Sequence, residues 1–163
     1  MNKSQSLTKN DYSKIAKLYD LDFGKDKMNF DKYIDQMITK LKQQKLENGL
    51  IVDLGSGPGN VVDYFLSKGF KNLTAVDFTP QFFTMLKKKY KGNKEVKVAS
   101  SEMIEFAKRQ KPSSVVAYIA SFSIIHLTNP QLKHLLKLMN KTLVKGGYFG
   151  ASCYKGKFKG FEV

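Results

Sequence analysis

The chain has 163 residues, 42% of them hydrophobic and 26% charged, which is enough for one soluble globular domain with a core of its own. No apolar run approaches the roughly 18 residues that span a bilayer, residues 1–7 lack the apolar centre of a signal peptide, and the single cysteine, Cys153, excludes an intramolecular disulfide or a cysteine metal cluster, so a cytoplasmic protein without a metal site or membrane partner is expected. The formal charge of +14 rests on lysine, with Arg109 the only arginine; this pattern favours a lysine-rich solvated surface and leaves nucleic acid as a possible partner.

Residues 11–45 carry apolar positions at helical spacing, first Ile15, Leu18 and Tyr19, then Tyr33, Ile34, Met37, Ile38 and Leu41, and Gly24 is expected to divide them into two helices. After Gly49 the pattern changes to short apolar runs alternating with amphipathic stretches. Strands are predicted over 50–54, 73–77, 96–99, 114–120 and 148–152, and helices over 60–67, 81–90, 102–109 and 130–143. Thr79-Pro80 reads as a helix start, with Thr as N-cap and Pro in the first turn. The lysine run 87–89, with Lys91 before Gly92, reads as the basic end of that helix. Leu132, Leu135, Leu136 and Met139 are expected on one helix face, and Gly146-Gly147 is expected to turn the chain into its last strand. Alternating strands and helices imply a mostly parallel sheet covered on both faces, with its ligand outside the strand C-termini. One domain is expected over 1–163: a helical lid 1–48, an α/β core 49–153 and a short tail 154–163.

The first strand runs into Asp53-Leu54-Gly55-Ser56-Gly57-Pro58-Gly59-Asn60. A strand, a glycine-rich turn and a helix start form a nucleotide-type edge. Asn60 occupies the position where a dinucleotide fingerprint needs its third small residue, and no Gly-Lys-Ser/Thr follows, so neither the dinucleotide motif nor a P-loop fits. Asp53 would repel a pyrophosphate but suits an ammonium or sulfonium group. Asp77, closing the second strand, can accept hydrogen bonds from two ribose hydroxyls.

With these features the chain resembles the class I S-adenosylmethionine-dependent methyltransferases over roughly residues 12 to 155. The resemblance lies in 52–59, in Val76-Asp77-Phe78-Thr79-Pro80, in 121–127 after the fourth strand and in 143–148 at the fifth. It implies a Rossmann-like fold and S-adenosylmethionine as cofactor. By position, the resemblance places the backbone of Gly55, Ser56 and Gly57 against the methionine part, Asp53 near the amino group and sulfonium, Asp77 on the ribose and Phe78 against the adenine. Glu102, or Ser101 if the alignment shifts by one residue, would face the adenine amino group, with Met103 beside the ring. Backbone at Ala120 and Ser121 would meet the methionine amino group, and Tyr19 would wall the acceptor pocket. Each has a structural alternative: Asp53 or Asp77 as a local cap, Phe78 as core, Glu102 as a first-turn acid.

Methyl transfer from a sulfonium needs a base only where the acceptor must lose a proton; His126, after the fourth strand, is the candidate, a packing histidine the alternative, and His134 is read as structural. The segment 121–124 lacks the Pro-Pro box of amino-methylating nucleic-acid enzymes, and Cys153 is misplaced for a cytosine-C5 nucleophile, which favours a small-molecule acceptor; a weaker likeness is to the tellurite-resistance type. A family sheet usually continues into a further helix and an antiparallel hairpin. Residues 154–163 cannot supply them, so a C-terminally short sheet with an open edge, and a homodimer through that edge, are expected. Two other functions stay open: a non-catalytic S-adenosylmethionine-binding module, and a basic nucleic-acid-binding protein or RNA methyltransferase.

Overall fold

The computed structural model describes residues 30–153. Ile15, Leu18, Tyr19 and the tail 154–163 lie outside the described residues. Helix α1 (Phe30–Gln43) leads into five strand units: β1 (Leu50–Leu54), α2 (Asn60–Ser67), β2 (Leu73–Asp77), α3 (Pro80–Lys89), β3 (Val96–Ser100), α4 (Met103–Lys108), β4 (Val115–Ser121), a 3-10 turn (Ile124–His126), α5 (Asn129–Thr142) and β5 (Leu143–Ser152). The strands form one sheet in the order β3-β2-β1-β4-β5, and every pairing is parallel.

The crossovers fix which face each helix covers. Right-handed connections carry the chain outward from β1 to β3 along one face, return it to β4 across the other face, and go on outward to β5. Helices α1, α2 and α3 therefore share one face, where Ile34, Leu41, Phe65 and Leu86 pack on Ile51, Leu73 and Ile119. Helices α4 and α5 share the other, where Phe106, Ala107, Leu135 and Met139 pack on Val52, Val76 and Tyr118. The core strands are buried on both sides, as a doubly covered parallel sheet requires. The direction of travel reverses between β1 and β4, and the C-terminal ends of β1, β2 and β4 meet at one edge.

Most predicted elements appear within a residue or two. Three local expectations change. Tyr33, at the margin of the buried α1 stripe formed by Ile34, Met37, Ile38 and Leu41, is 66% exposed, and Leu136 is 39% exposed while Leu135 and Met139 are buried. Thr79 occupies the N-cap position but makes no side-chain cap bond; the Asp77 carboxylate takes the Thr79 N–H instead. Gly146-Gly147 does not precede the last strand but lies inside it. The register jumps from Val115↔Leu143 to Ala117↔Tyr148, and Gly146 accommodates the bulge at φ +79°. Among the described residues β5 pairs only with β4 and no antiparallel strand follows it. No helix among them is long and apolar enough to cross a membrane.

Candidate functional site

The C-terminal edge begins with Asp53, one residue before the end of β1 and 3% exposed. Its Oδ2 accepts a 2.7 Å hydrogen bond from Ser56 Oγ, while Oδ1 is buried and finds no hydrogen-bond partner among the described residues. Burial pushes the carboxyl up to about 7; the Ser56 bond lowers it and the charge of nearby Asp77 raises it further. Asp77, at the end of the neighbouring strand, is 5% exposed. Its Oδ1 accepts from Thr79 N at 2.8 Å and its Oδ2 from Gly57 N at 2.9 Å. Burial raises this carboxyl too, against the two backbone bonds that lower it. Each Asp77 oxygen retains acceptor capacity after these bonds.

Between the two acids runs the glycine loop, and its amide groups point inward. Gly55 N and Ser56 N both donate to Val76 O, at 2.8 and 2.9 Å, Gly57 N donates to Asp77, and Gly59 N donates to Ser56 O at 2.9 Å; Pro58 has no N–H. A loop that binds phosphate presents such groups outward to the anion. Here they are engaged, and the edge offers buried carboxylates instead. That is a surface for cations and hydroxyl donors.

The glycines also differ from what a ligand-approach reading predicts. A Cβ on Gly55 would stand 2.4 Å from Ser123 Cβ and 3.1 Å from Met103 Cε, and one on Gly59 would stand 2.5 Å from Tyr90 Oη and 3.0 Å from Leu86 Cδ2. Both have left-handed backbones, at φ +74° and +89°, and protein also packs where their side chains would stand. At Gly57 a Cβ would meet nothing within 4 Å, so this is the one glycine of the loop whose missing side chain leaves space open.

The opposite wall comes from the end of β4. Ser121 Oγ lies 3.1 Å from Ser152 Oγ on β5. Phe122 adopts a left-handed backbone at φ +50°, and its N–H donates to Ser152 O at 3.0 Å and to Ser152 Oγ at 3.2 Å. The turn this makes carries Ser123 back across the sheet, where its buried Oγ donates to Leu54 O at 2.6 Å. His126 follows in the 3-10 turn, half-buried, and burial holds its pKa below the ordinary value.

A family profile described as a methyltransferase domain matches residues 51–147, more than half of the chain. The chain belongs to this methyltransferase family. Solved structures carry the same fold at low identity. The Burkholderia thailandensis 1,6-didemethyltoxoflavin-N1-methyltransferase, solved with 1,6-didemethyltoxoflavin and S-adenosylhomocysteine, matches with a TM-score of 0.71 at 17% identity, over 94% of this chain and 64% of that one. A DhpI-SAM-HEP complex matches with a TM-score of 0.61 at 16% identity over 90% of this chain and 62% of that one. A SAM-dependent methyltransferase from Leishmania major matches with a TM-score of 0.57 at 17% identity over 65% of this chain and 43% of that one. The present chain thus spans less than two thirds of these relatives' lengths. No curated protein matches it in sequence.

In this member of the family the sequence-predicted site residues fall into three groups. Asp53 with Ser56 and Asp77 with Gly57 form two hydrogen-bonded pairs at adjacent loop residues, with Phe78 half-buried directly after Asp77. Gly55 and Met103 come together from β1 and α4. Ser121 and His126 lie on the β4 side. Glu102 holds the N-cap position of α4 without a side-chain cap bond. Ser101, its alternative, has its hydroxyl engaged: it accepts from Arg109 Nη2 at 2.5 Å and donates to Glu102 O at 3.0 Å. Tyr19 lies outside the described residues. The sequence singles out no role for Ser152, Asp63 or Tyr90, and marks Lys89 only as part of a basic helix end. They are joined to the site only by contacts between residues far apart in the chain.

An S-adenosylmethionine-type cofactor fits this site on two observations. The orphaned, fully buried Asp53 Oδ1 lacks the positive partner such a ligand would bring, and the inward-facing loop amides leave no cradle for an anion.

Proposed function

We propose that this chain binds S-adenosylmethionine at the C-terminal edge of β1, β2 and β4 and transfers its methyl group to a small-molecule acceptor. The observation that carries the reading is the pairing of two buried carboxylates with a glycine loop whose amides are already satisfied. Asp53 offers negative potential to an amino group and sulfonium, and Asp77 accepts hydroxyl hydrogens with its remaining lone pairs. Phe78 and Met103 give apolar surface for an adenine, Glu102 an acceptor for its amino group, and Gly57 open backbone for the methionine part. Ser121 places the β4 backbone along the methionine part.

The cofactor supplies a methyl group already activated on a positively charged sulfur. The chain's task is then to orient the acceptor, exclude water and, where the acceptor carries a proton, receive it. His126 suits the last role. Its lowered pKa keeps the imidazole neutral near pH 7, in the form that accepts a proton. A small-molecule acceptor is supported by the 1,6-didemethyltoxoflavin bound in the Burkholderia thailandensis neighbour and by the charge pattern of this chain, whose site edge carries buried acids.

Titration calorimetry with S-adenosylhomocysteine tests the binding step. Micromolar affinity is expected, with at least tenfold weakening in Asp77→Ala. Absence of binding at millimolar ligand sinks the proposal. Release of labelled methyl groups into a small-molecule extract tests the transfer; binding without any turnover leaves a cofactor-binding module.

A further inference from the structure

The lysine-rich end of α3 makes more than a basic helix terminus. Lys89 Nζ donates to Pro58 O at 2.8 Å and pairs with Asp63 Oδ2 in the first turn of α2. The next residue, Tyr90, is 7% exposed, and its phenol hydrogen is shared between Gly59 O at 3.0 Å and Asp63 Oδ1 at 2.8 Å. The two side chains, adjacent in sequence, thus hold the last two carbonyls of the glycine loop and both oxygens of one carboxylate. Tyr90 and Leu86 close the Gly59 Cβ position, so the third glycine of the motif, already required by its backbone at φ +89°, also admits this contact. Burial and the Asp63 carboxylate both raise the Tyr90 pKa, so the phenol stays a donor across the physiological range.

We infer that Lys89 and Tyr90 are positioning residues for the glycine loop, gripping the Pro58 and Gly59 carbonyls directly while Asp63 holds both side chains in place, so that Gly57 and the loop backbone stand in binding geometry before ligand arrives. The inference rests on the cofactor reading above and deepens it. The loop is anchored at its near end by Gly55 and Ser56 on Val76 O and by Ser123 on Leu54 O. Without the α3 clamp its far end would keep the Gly59 N–Ser56 O bond and the Asp63 N–Gly59 O bond of the first α2 turn, both 2.9 Å, but the Pro58 carbonyl would lose its Lys89 contact and the Gly59 carbonyl its side-chain donor. A loop ordered in advance loses little conformational entropy on binding, and this gain appears as affinity.

The test compares full-length variants by S-adenosylhomocysteine calorimetry, thermal melting and amide hydrogen exchange without ligand. Tyr90→Phe and Lys89→Met should each weaken the ligand about two- to tenfold, the equivalent of one hydrogen bond, and should speed exchange at Gly57 and Gly59. Tyr64→Phe is the matched control: it removes a tyrosine-to-carboxylate bond of the same length, Tyr64 Oη to Asp35 Oδ1 at 2.8 Å, away from the loop. It should lower the melting temperature comparably and leave affinity and loop exchange unchanged. Unaltered affinity in Tyr90→Phe and Lys89→Met overturns the inference even if stability falls. So does an equal loss of affinity in Tyr64→Phe, which would mark a global effect. Failure of the unmodified protein to bind the ligand removes the cofactor reading itself, a distinct outcome.

Discussion

At the scale of single residues, Asp53 should make ligand binding depend on pH. Its carboxyl is neutral below about 7 and charged above. A ligand bearing an ammonium group beside it favours the charged form. Affinity for S-adenosylhomocysteine should therefore rise between roughly pH 6 and pH 8, by up to about tenfold per unit below the pKa, with proton release below it. Calorimetry in buffers of different ionisation enthalpy measures that release, and Asp53→Asn should abolish it. The sign for folding is opposite. From the ordinary 3.8 up to about 7 the folded state keeps a proton that the unfolded chain has released, so this carboxyl takes stability away as pH rises through that window. Asp53→Asn should accordingly bind weakly at pH 8 yet melt no lower than the unmodified protein. The glycines separate in the same manner. Gly55→Ala meets both a left-handed backbone at φ +74° and the Ser123 side chain, and should cost about 2–5 kcal/mol in denaturant unfolding. Gly57→Ala meets only the backbone term at φ +52°, about 1–2 kcal/mol, but places a methyl in open space and should weaken ligand more than its stability loss explains. The motif acids and glycines were legible in the sequence because each is local. What each glycine is for was not: Ser123 reaches Leu54 across 69 positions and Tyr90 reaches Gly59 across 31, and neither distance has a sequence signature.

Elements were legible where periodicity and punctuation agreed. The α5 start shows why. Thr128 accepts from Gln131 N while Gln131 Oε1 accepts from Thr128 N at 2.9 Å, a reciprocal cap on a helix opened by Asn129-Pro130. Thr128→Ala should lower unfolding stability by about 1 kcal/mol without changing ligand affinity, since the cap lies outside the loop network; an affinity change of tenfold in calorimetry would contradict this. β5 was misjudged because adjacent glycines ordinarily signal a turn. Here they serve a bulge: Gly147 stands so close to Val116 O and Val144 O that a Cβ would lie 3.0 Å from each, a constraint visible only once β4 is alongside.

For the whole molecule, the parallel topology separates charge. Helices run back against the strands, so the last-turn lysines of α1, α4 and α5, Lys40, Lys42, Lys108 and Lys141, lie toward the strand N-terminal edge, while Asp53 and Asp77 stand at the C-terminal edge and Lys89 of α3 reaches the glycine loop there. The net charge therefore says little about the ligand of the acidic edge. An oligonucleotide that associates at low salt should leave the S-adenosylhomocysteine affinity unchanged, and competition between the two in a fluorescence titration would show that polyanions reach the site. Alternation of strands and helices made the doubly covered parallel sheet legible in the sequence, but its strand order was not, because crossover handedness fixes the face a helix covers and not which strands pair. The sorting of charge between edges was not legible either, since it emerges only when helix ends far apart in sequence are brought side by side.

One contact ties the margin of the sheet to its centre. Ser152, on the outermost strand, holds the left-handed Phe122, and the next residue, Ser123, leans on Gly55. Outer strands open most readily, so order at β5 and order in the glycine loop belong to one equilibrium. By reciprocity, ligand in the loop should slow deuterium uptake along Tyr148–Ser152, and anything that adds a neighbour to β5 should tighten ligand binding by the same factor. Uptake at β5 that ignores ligand would uncouple the two.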